Sequence, residues 1–529
     1  MTENSETMIV ENNLKTDQDT PGSDATDVSR RRFLASSLAV AGSLLVGQSV
    51  AHSERLPDNA GVHGNLDANA LRKSIKGQVL TRTDTDFEKV ALDVWNKYGT
   101  SKRRPQLIVR VANEQDVVEA VKFAKASKLK VVVRGGGHNW CNPSLRDGGM
   151  MIDLTNLNKV ISIDPKERKA VVQPIISNRE IQHHLNAQNL SYPSGHCPPV
   201  KLSGYLLCGG MSWNQGVWGT GIGSVEAVEL VTPNGEMITA NKDQNNDYYW
   251  AARGAGPGFF GVATRYHLKL YDLPKAIACS SYYYPIGEVD TVAHWLESIA
   301  SKLPPNIELS LFMLTAPSEI AEKCKADAGK VCMVTATIFT DSIEEAKSSL
   351  KPLDDCPIIG KCLSKTIAMP SNFEALFDAS GALWPADHRN QVEAIFSNAK
   401  LADVFKAVGD HFLKTPSPAS LIMFAIFTGS KVPTPLPDAA FSMSARYYGG
   451  PWTMWTKAGD DYANTQWHKK CLELLKPYVA GYYVGESDTV TYPNIVQESY
   501  TQTKWKRLQE LRKKYDPDGV FFNYSDGLT

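Results

Sequence analysis

A chain of 529 residues with 43% hydrophobic and 21% charged residues can build a sizeable core and two or three domains. Lysine plus arginine total 56 against 57 aspartate plus glutamate, and no long basic or acidic run occurs in the body, so composition argues against a nucleic-acid partner. Nine cysteines, without a CxxC pair, an HExxH motif or a His/Cys cluster, argue against a disulfide framework and a metal site. Spacing leaves open whether Cys324 pairs with Cys332 and Cys356 with Cys362 in an oxidising compartment.

Residues 1–28 are polar and have too little apolar surface to order themselves. "SRRRFLASSLAVAGSLLVGQSVAHS" follows, with Arg30 and Arg31 ahead of Phe33 and Leu34 and an uncharged apolar run from Ala35 to Val50. That run falls short of the roughly 20 residues that span a bilayer, and Ser49-Val50-Ala51 offers a small-x-small cleavage site. Residues 1–51 therefore resemble a twin-arginine (Tat) export signal, which implies use of the Tat machinery, a periplasmic or secreted protein and no stable membrane insertion. A membrane anchor is the alternative reading. Residues 52–100 are assigned as an N-terminal extension.

"PQLIVRVANEQDVVEAVKFAKASKLKVVVRGGGH" reads as strand, helix, strand. Leu107 to Val111 is apolar, Asn113 suits a helix cap, and Val117, Val118, Val121 and Ala124 recur at helical spacing. Val131 to Val133 is the next strand, with Gly135 to Gly137 and His138 at its C-terminal end, where ligands collect in open α/β structures. "GMMIDL", "KVISID" and "KAVVQP" predict short strands, and a helix is expected near Asn178 to Asn189. Asn234-Gly235 between two alternating runs predicts a hairpin. From about Pro274 the texture changes to alternating strands, long helices and Pro-rich loops such as "KVPTPLPDAA", read as a second domain of antiparallel sheet plus helices. The chain closes on a helix stopped at Asp516-Pro517-Asp518-Gly519.

Further glycines fall in "CGGMSWNQGVWGTGIGS", in "RGAGPGFFG" and at Gly148-Gly149. Gly256, Gly258 and Gly261 spell GxGxxG, but a helix-like stretch precedes them and a strand-like stretch follows, the reverse of a dinucleotide fingerprint, so a Rossmann NAD site is excluded. Glycines also let backbone N–H groups converge on a pyrophosphate.

The motifs "VRGGGHN", "DGGMMIDLTNLNKV", "YPSGHCPPV", "VELVTPNGEMITA" and "DYYWAARGAGPGFFGVATRYHLKL", in that order, make residues 105–273 resemble the FAD-binding domain of the vanillyl-alcohol-oxidase/p-cresol-methylhydroxylase (PCMH-type) superfamily. More narrowly the chain is similar to the berberine-bridge-enzyme-like (BBE-like) oxidases, and "YDPDGVFFN" resembles their closing segment. The resemblance implies an α+β protein: a two-subdomain FAD-binding domain (101–274), a substrate domain of antiparallel sheet covered by helices (275–480) and a C-terminal segment returning to the FAD domain (481–529). It implies His138 as a covalent ligand of the flavin 8α-methyl and Cys197 as a second link to flavin C6, with His196 as a candidate to deprotonate that thiol. The alternative for Cys197 is a small buried cysteine. Val200 corresponds to a position on the oxygen path where valine accompanies oxidase behaviour. Arg134, Gly135, Gly136, Gly137, Asn139, Ser203, Gly204, Gly209, Gly210, Gly256, Gly258, Gly261, Val262 and Asn523 complete the implied FAD set. "VKLSGYLLCGG" departs from the family's glycine-richer sequence, which weakens the carry-over there.

For the substrate half, relatives place a proton-abstracting base in a C-terminal Y-x-N-Y-x-D motif. Here the stretch is "YVGESD", with Glu486 as the candidate base. A solvated surface glutamate is the alternative. Tyr483 and Tyr448 are further catalytic candidates, Arg446 is a candidate to orient a substrate, and Trp384, Trp452 and Trp455 suit ring stacking or, more ordinarily, core. The expectation is a covalent FAD oxidase that acts on a hydroxyl- or amine-bearing small molecule and reduces O2 to H2O2. A dehydrogenase with a quinone or cytochrome acceptor and a flavin-retaining binding protein are the alternatives.

Overall fold

The computed structural model describes residues 67–99, 102–432, 435–524 and 526. The export-signal reading of residues 1–51 lies outside them, as do Pro433 and Thr434 of the Pro-rich loop.

A four-stranded sheet comes first, in the order β1 (Gln78–Thr81), β2 (Leu107–Arg110), β4 (Met150–Asp153), β3 (Val131–Arg134). β2 and β3 both run parallel to β4, which needs a crossover; helix Glu114–Ala126 supplies it. Its start is set locally, because the Asn113 side chain accepts from the backbone N–H of Asp116. Asp116 is itself buried, and its carboxylate accepts from the N–H groups of Lys76, Gly77 and Ala112, so the segment ahead of β1 is stitched to this helix. The chain's end returns to the same sheet: Val131 N–H donates to Val520 O, and Phe522 N–H to Val131 O.

The second sheet runs β5 (Val160–Asp164), β6 (Lys169–Val172), β10 (Val262–Lys269), β8 (Val225–Val231), β9 (Met237–Asn241). The Asn234-Gly235 hairpin is present, with Gly235 at φ +73° between paired β8 and β9. Between the sheets, β7 (Leu190–Ser191) pairs with β11 (Tyr271–Asp272). Helix Asn178–Asn186 carries a full capping box from Ser177 and Glu180 and stops short of the expected Asn189, which takes a left-handed φ of +56°. Gly256–Gly258 forms a short turn after helix Asn246–Ala251 and before β10, the order that excludes a Rossmann fingerprint.

The remaining strands form one sheet of nine: β12 (Ala276–Pro285), β13 (Ile307–Thr315), β14 (Lys330–Thr340), β15 (Ser364–Ser371), β16 (Arg389–Val392), β17 (Ile395–Ser397), β18 (Leu421–Ile426), β19 (Tyr447–Trp455) and β20 (Gly481–Tyr482). All its pairings are antiparallel, and residues alternate between two faces. Leu309, Leu311, Ile422 and Phe424 meet helices Val289–Ala300 and Leu401–Phe412. On the opposite face Phe312, Met333, Leu421 and Trp452 pack with Trp140, just beyond the glycine loop of β3. The architecture is α+β, as expected. All nine cysteines are free, so neither proposed bridge forms.

Arg134 was expected among the cofactor contacts and lies elsewhere. Its guanidinium is buried beneath β3, paired with the Asp153 carboxylate at 2.8 Å and donating to the Val90 and Ala91 carbonyls. Arg110 Nε lies 3.1 Å from the same carboxylate oxygen. A buried pair is costly to break, because the surviving charge has no water to replace its partner. D153N should therefore destabilise the chain by ~3–5 kcal/mol, and the R134M/D153L pair should recover part of that loss in denaturant titrations.

Candidate functional site

A cavity of about 220 Å³ opens where β3, helix Leu202–Cys208, the Gly256–Gly261 turn and the Tyr483–Glu486 segment converge. Of the residues singled out in the sequence, Gly135, Gly136, Gly137, His138, Asn139, Cys197, Val200, Ser203, Gly204, Gly256, Gly261, Tyr483 and Glu486 lie on its wall.

The three glycines have separate roles. A Cβ on Gly135 would sit 1.9 Å from Ser203 Oγ, and one on Gly136 would sit 2.4 Å from Lys201 Cγ. These two residues are glycine because the loop closes directly on the segment that opens helix Leu202–Cys208. Gly137 takes φ +62°, the left-handed turn that presents His138.

His138 Nε2 lies 3.7 Å from Cys197 Sγ. Burial pulls the imidazole down to a pKa of about 4, with Lys201 adding repulsion, so the ring is neutral at neutral pH and one of its nitrogens carries a lone pair. Burial pushes the Cys197 thiol the other way, up to about 12, and the neighbouring Glu486 adds to the rise. His196 does not serve this thiol as expected: its Nε2 meets Glu308 at 3.1 Å and its ring packs on Trp213. The imidazole beside Cys197 is His138.

Glu486 is on the wall rather than in bulk water, which removes the surface-glutamate alternative. Tyr448 Oη donates to its carboxylate. Burial raises the Glu486 pKa above the ordinary carboxylate range, and the Tyr448 hydrogen bond and His196 oppose that rise. Tyr483 Oη accepts from Gly210 N–H at 3.2 Å, and its ring meets Tyr448 edge-on. Asn139 donates to Gly485 O at 3.0 Å, tying the histidine loop to the segment that carries Glu486.

Six other expected contacts, besides Tyr448, stand off the wall. Arg134 is committed to Asp153. Gly209, Gly210 and Gly258 are glycine because the rings of Phe441, Tyr205 and Tyr524 cover them, with a Cβ at each falling within 3.0 Å of ring carbons. Val262, at the start of β10, packs into the apolar core shared with the first sheet, and Asn523 accepts from Tyr524 N–H. Arg446 is near Glu297 at 4.0 Å, away from the cavity. Trp384 and Trp452 pack with each other, while Trp455 Nε1 donates to Asp461. Trp452 and Trp455 are core, and Trp384 is partly buried beside them. Sequence reasoning missed Trp140, Lys201, Cys208, Phe521 and Phe522 on the wall, although each falls within or beside a quoted motif. It also missed Trp95, stacked on His138.

These surroundings suit a flavin dinucleotide. Ser203 Oγ is buried on the wall without a hydrogen-bond partner, and a Cβ on Gly204 would meet no atom within 4 Å, which leaves the start of helix Leu202–Cys208 open to a ligand. Ser203, Gly204 and the Gly256 turn would hold phosphate and ribityl groups by polar and backbone contacts, and His138 and Cys197 would meet the ring.

Comparison with known proteins agrees. Residues 105–241 match the family model described as FAD binding domain. The FAD-linked oxidoreductase janO of Penicillium janthinellum is 26% identical over 432 residues, covering 80% of this chain and 93% of the relative. The (R)-6-hydroxynicotine oxidase of Paenarthrobacter nicotinovorans is 25% identical, covering 85% and 97%. Among solved structures, a BBE-like protein of Physcomitrella patens superposes with a TM-score of 0.73 at 19% identity over 87% of this chain and 98% of its own. The 6-hydroxy-D-nicotine oxidase of Arthrobacter nicotinovorans gives 0.72 at 22% identity over 85% and 98%. Residues 105–241 thus match an FAD-binding domain, and the chain shares its fold with the BBE-like and 6-hydroxy-D-nicotine oxidase structures. Over about four fifths of its length the chain is similar to FAD-linked oxidoreductases.

Proposed function

We propose that the chain is a covalently flavinylated FAD oxidase that acts on a hydroxyl- or amine-bearing small molecule and forms H2O2 from O2. The observation that carries this reading is the meeting of three groups on one wall: a neutral His138, Cys197 at 3.7 Å from it, and Glu486 held by Tyr448. Bound FAD supplies the hydride acceptor and, once reduced, the electrons for O2. His138 would supply a nitrogen lone pair and Cys197, after losing its thiol proton, a sulfur; each link would replace a C–H bond of the flavin, the proton leaving and the electron pair passing to the flavin and then to O2. Glu486 takes the proton from the substrate O–H or N–H, and the Tyr448 hydrogen bond favours the ionised carboxylate against the rise that burial causes. Val200, on the same wall, supports O2 as acceptor through the family resemblance.

The protonation state of Glu486 gives the pH dependence its sign. Its pKa lies above the ordinary carboxylate value, and the ionised form is the base, so flavin reduction by substrate is full at higher pH and is lost as pH falls through that raised pKa. E486Q should slow anaerobic flavin reduction by about 10²–10⁴-fold and abolish the acid limb. Y448F removes a hydrogen bond that favours the ionised carboxylate, so its acid limb should move to higher pH. An E486Q chain reduced at the wild-type rate removes Glu486 as base.

Flavin should stay with the acid-denatured chain, with FAD-sized adducts on the His138 and Cys197 peptides. H138A and C197A should each lose one link. Substrate turnover in air should release peroxide; dye reduction without peroxide makes the protein a dehydrogenase, and no flavin bleaching by any candidate substrate makes it a binding protein.

We further propose export through the Tat route, on the strength of Arg30, Arg31 and the apolar run from Ala35 to Val50. The R30K/R31K chain should remain in the cytoplasm, and its export at the wild-type level would exclude that route.

A further inference from the structure

Residues 93–98 lie ahead of the stretch matched by the FAD-binding family model, yet they touch the histidine loop at every level. The Trp95 ring stacks on His138, with centroids 4.6 Å apart and planes 25° apart, and meets Trp140 edge-on at 4.9 Å. Trp95 N–H donates to Gly137 O at 2.9 Å. One residue thus grips both the backbone before the histidine and the face of its ring. The approach is as close as glycine permits, since a Cβ on Gly137 would sit 3.0 Å from Asp93 O.

The next residue anchors this grip. Asn96 is fully buried; its amide donates to the carbonyls of Trp140 and Asn390, and its Oδ1 accepts from Asn390 N–H at 2.9 Å. Asn142 donates back to Asn96 O at 3.1 Å. Arg389 donates to Lys97 O at 3.1 Å. The segment is therefore a brace between the histidine loop and β16 of the nine-stranded sheet.

We infer that Trp95, seated by Asn96, is a positioning residue for flavin attachment: its ring fixes the plane of the His138 imidazole and shields one face from water. The inference rests on the covalent reading above. Stacking leaves the ring edge, with Nε2, directed toward Cys197. It also contributes to the burial that keeps the imidazole neutral, and a neutral nitrogen would bond to the flavin 8α carbon as one of its protons leaves, the electron pair passing to the flavin and then to O2.

The full-length chain, purified with its FAD and incubated with added FAD, is sampled over time, denatured in acid and separated into linked and released flavin. W95L should bind the same total FAD and melt near the wild-type temperature, while His138-linked flavin accumulates about 2- to 10-fold more slowly, the range expected for losing one aromatic pair. W95F keeps a stacking ring and should restore the rate. N96A leaves the ring but frees its seat, and should slow linkage less than W95L. Linkage to His138 at the wild-type rate in W95L overturns the inference, and so does a rate in W95F as slow as in W95L. If W95L does not accumulate folded, wild-type linkage in N96A overturns it. Wild-type flavin that is wholly released by acid overturns the covalent reading itself, an outcome distinguishable because it needs no variant.

Discussion

The close approach of residues 135–138 to residues 201–203 is the contact on which the site depends. Hydrogen atoms at Gly135 and Gly136 are all that separate the loop after β3 from Ser203 and Lys201. Because the loop closes onto the Ser203 and Lys201 side chains there, His138 reaches the wall that Cys197 occupies, and the start of helix Leu202–Cys208 opens into the same cavity. A methyl group at either glycine would have to displace the Ser203 or Lys201 side chain. The ion pair of Arg134 and Asp153 supports this arrangement from below, by pinning the end of β3 to β4 immediately before the glycines.

One physical effect, exclusion of water, then acts differently on each group. It keeps His138 uncharged and nucleophilic, and it keeps the Cys197 thiol protonated. On Glu486 it raises the pKa, and Tyr448 offsets part of that rise by donating to the carboxylate. Burial without the tyrosine would raise that pKa further, and a fully solvated carboxylate is a weaker base. The two residues come from distant parts of the chain, Tyr448 from β19 and Glu486 from the stretch after β20.

Several features were legible in the chain because they depend on neighbours in sequence. Asn113 caps its helix, Ser177 and Glu180 form a capping box, and Asn234-Gly235 turns its hairpin, each through contacts a few residues apart. Glu486 was legible through its place in "YVGESD", although burial was needed to separate a candidate base from a surface glutamate. Arg134 was misread because an arginine beside a glycine loop suggests a phosphate contact, whereas its partner, Asp153, lies on the adjacent strand. His196 was misread for a related reason. Adjacency to Cys197 in sequence does not aim its ring, and Glu308 of the nine-stranded sheet draws it away.

By itself the sequence determined the sheet-forming and helical segments and the glycine-histidine and cysteine motifs, because hydrophobic period, capping and turn chemistry are local properties, while the α+β class came from the family resemblance those motifs carry. Only the tertiary structure decided that Gly209, Gly210 and Gly258 serve aromatic packing, that Trp95 lies on His138, and that His138 rather than His196 faces the thiol. Each of those facts is a contact between segments far apart in the chain. Local pattern carries no information about which side chain will arrive from elsewhere, and that arrival sets burial, charge state and reach.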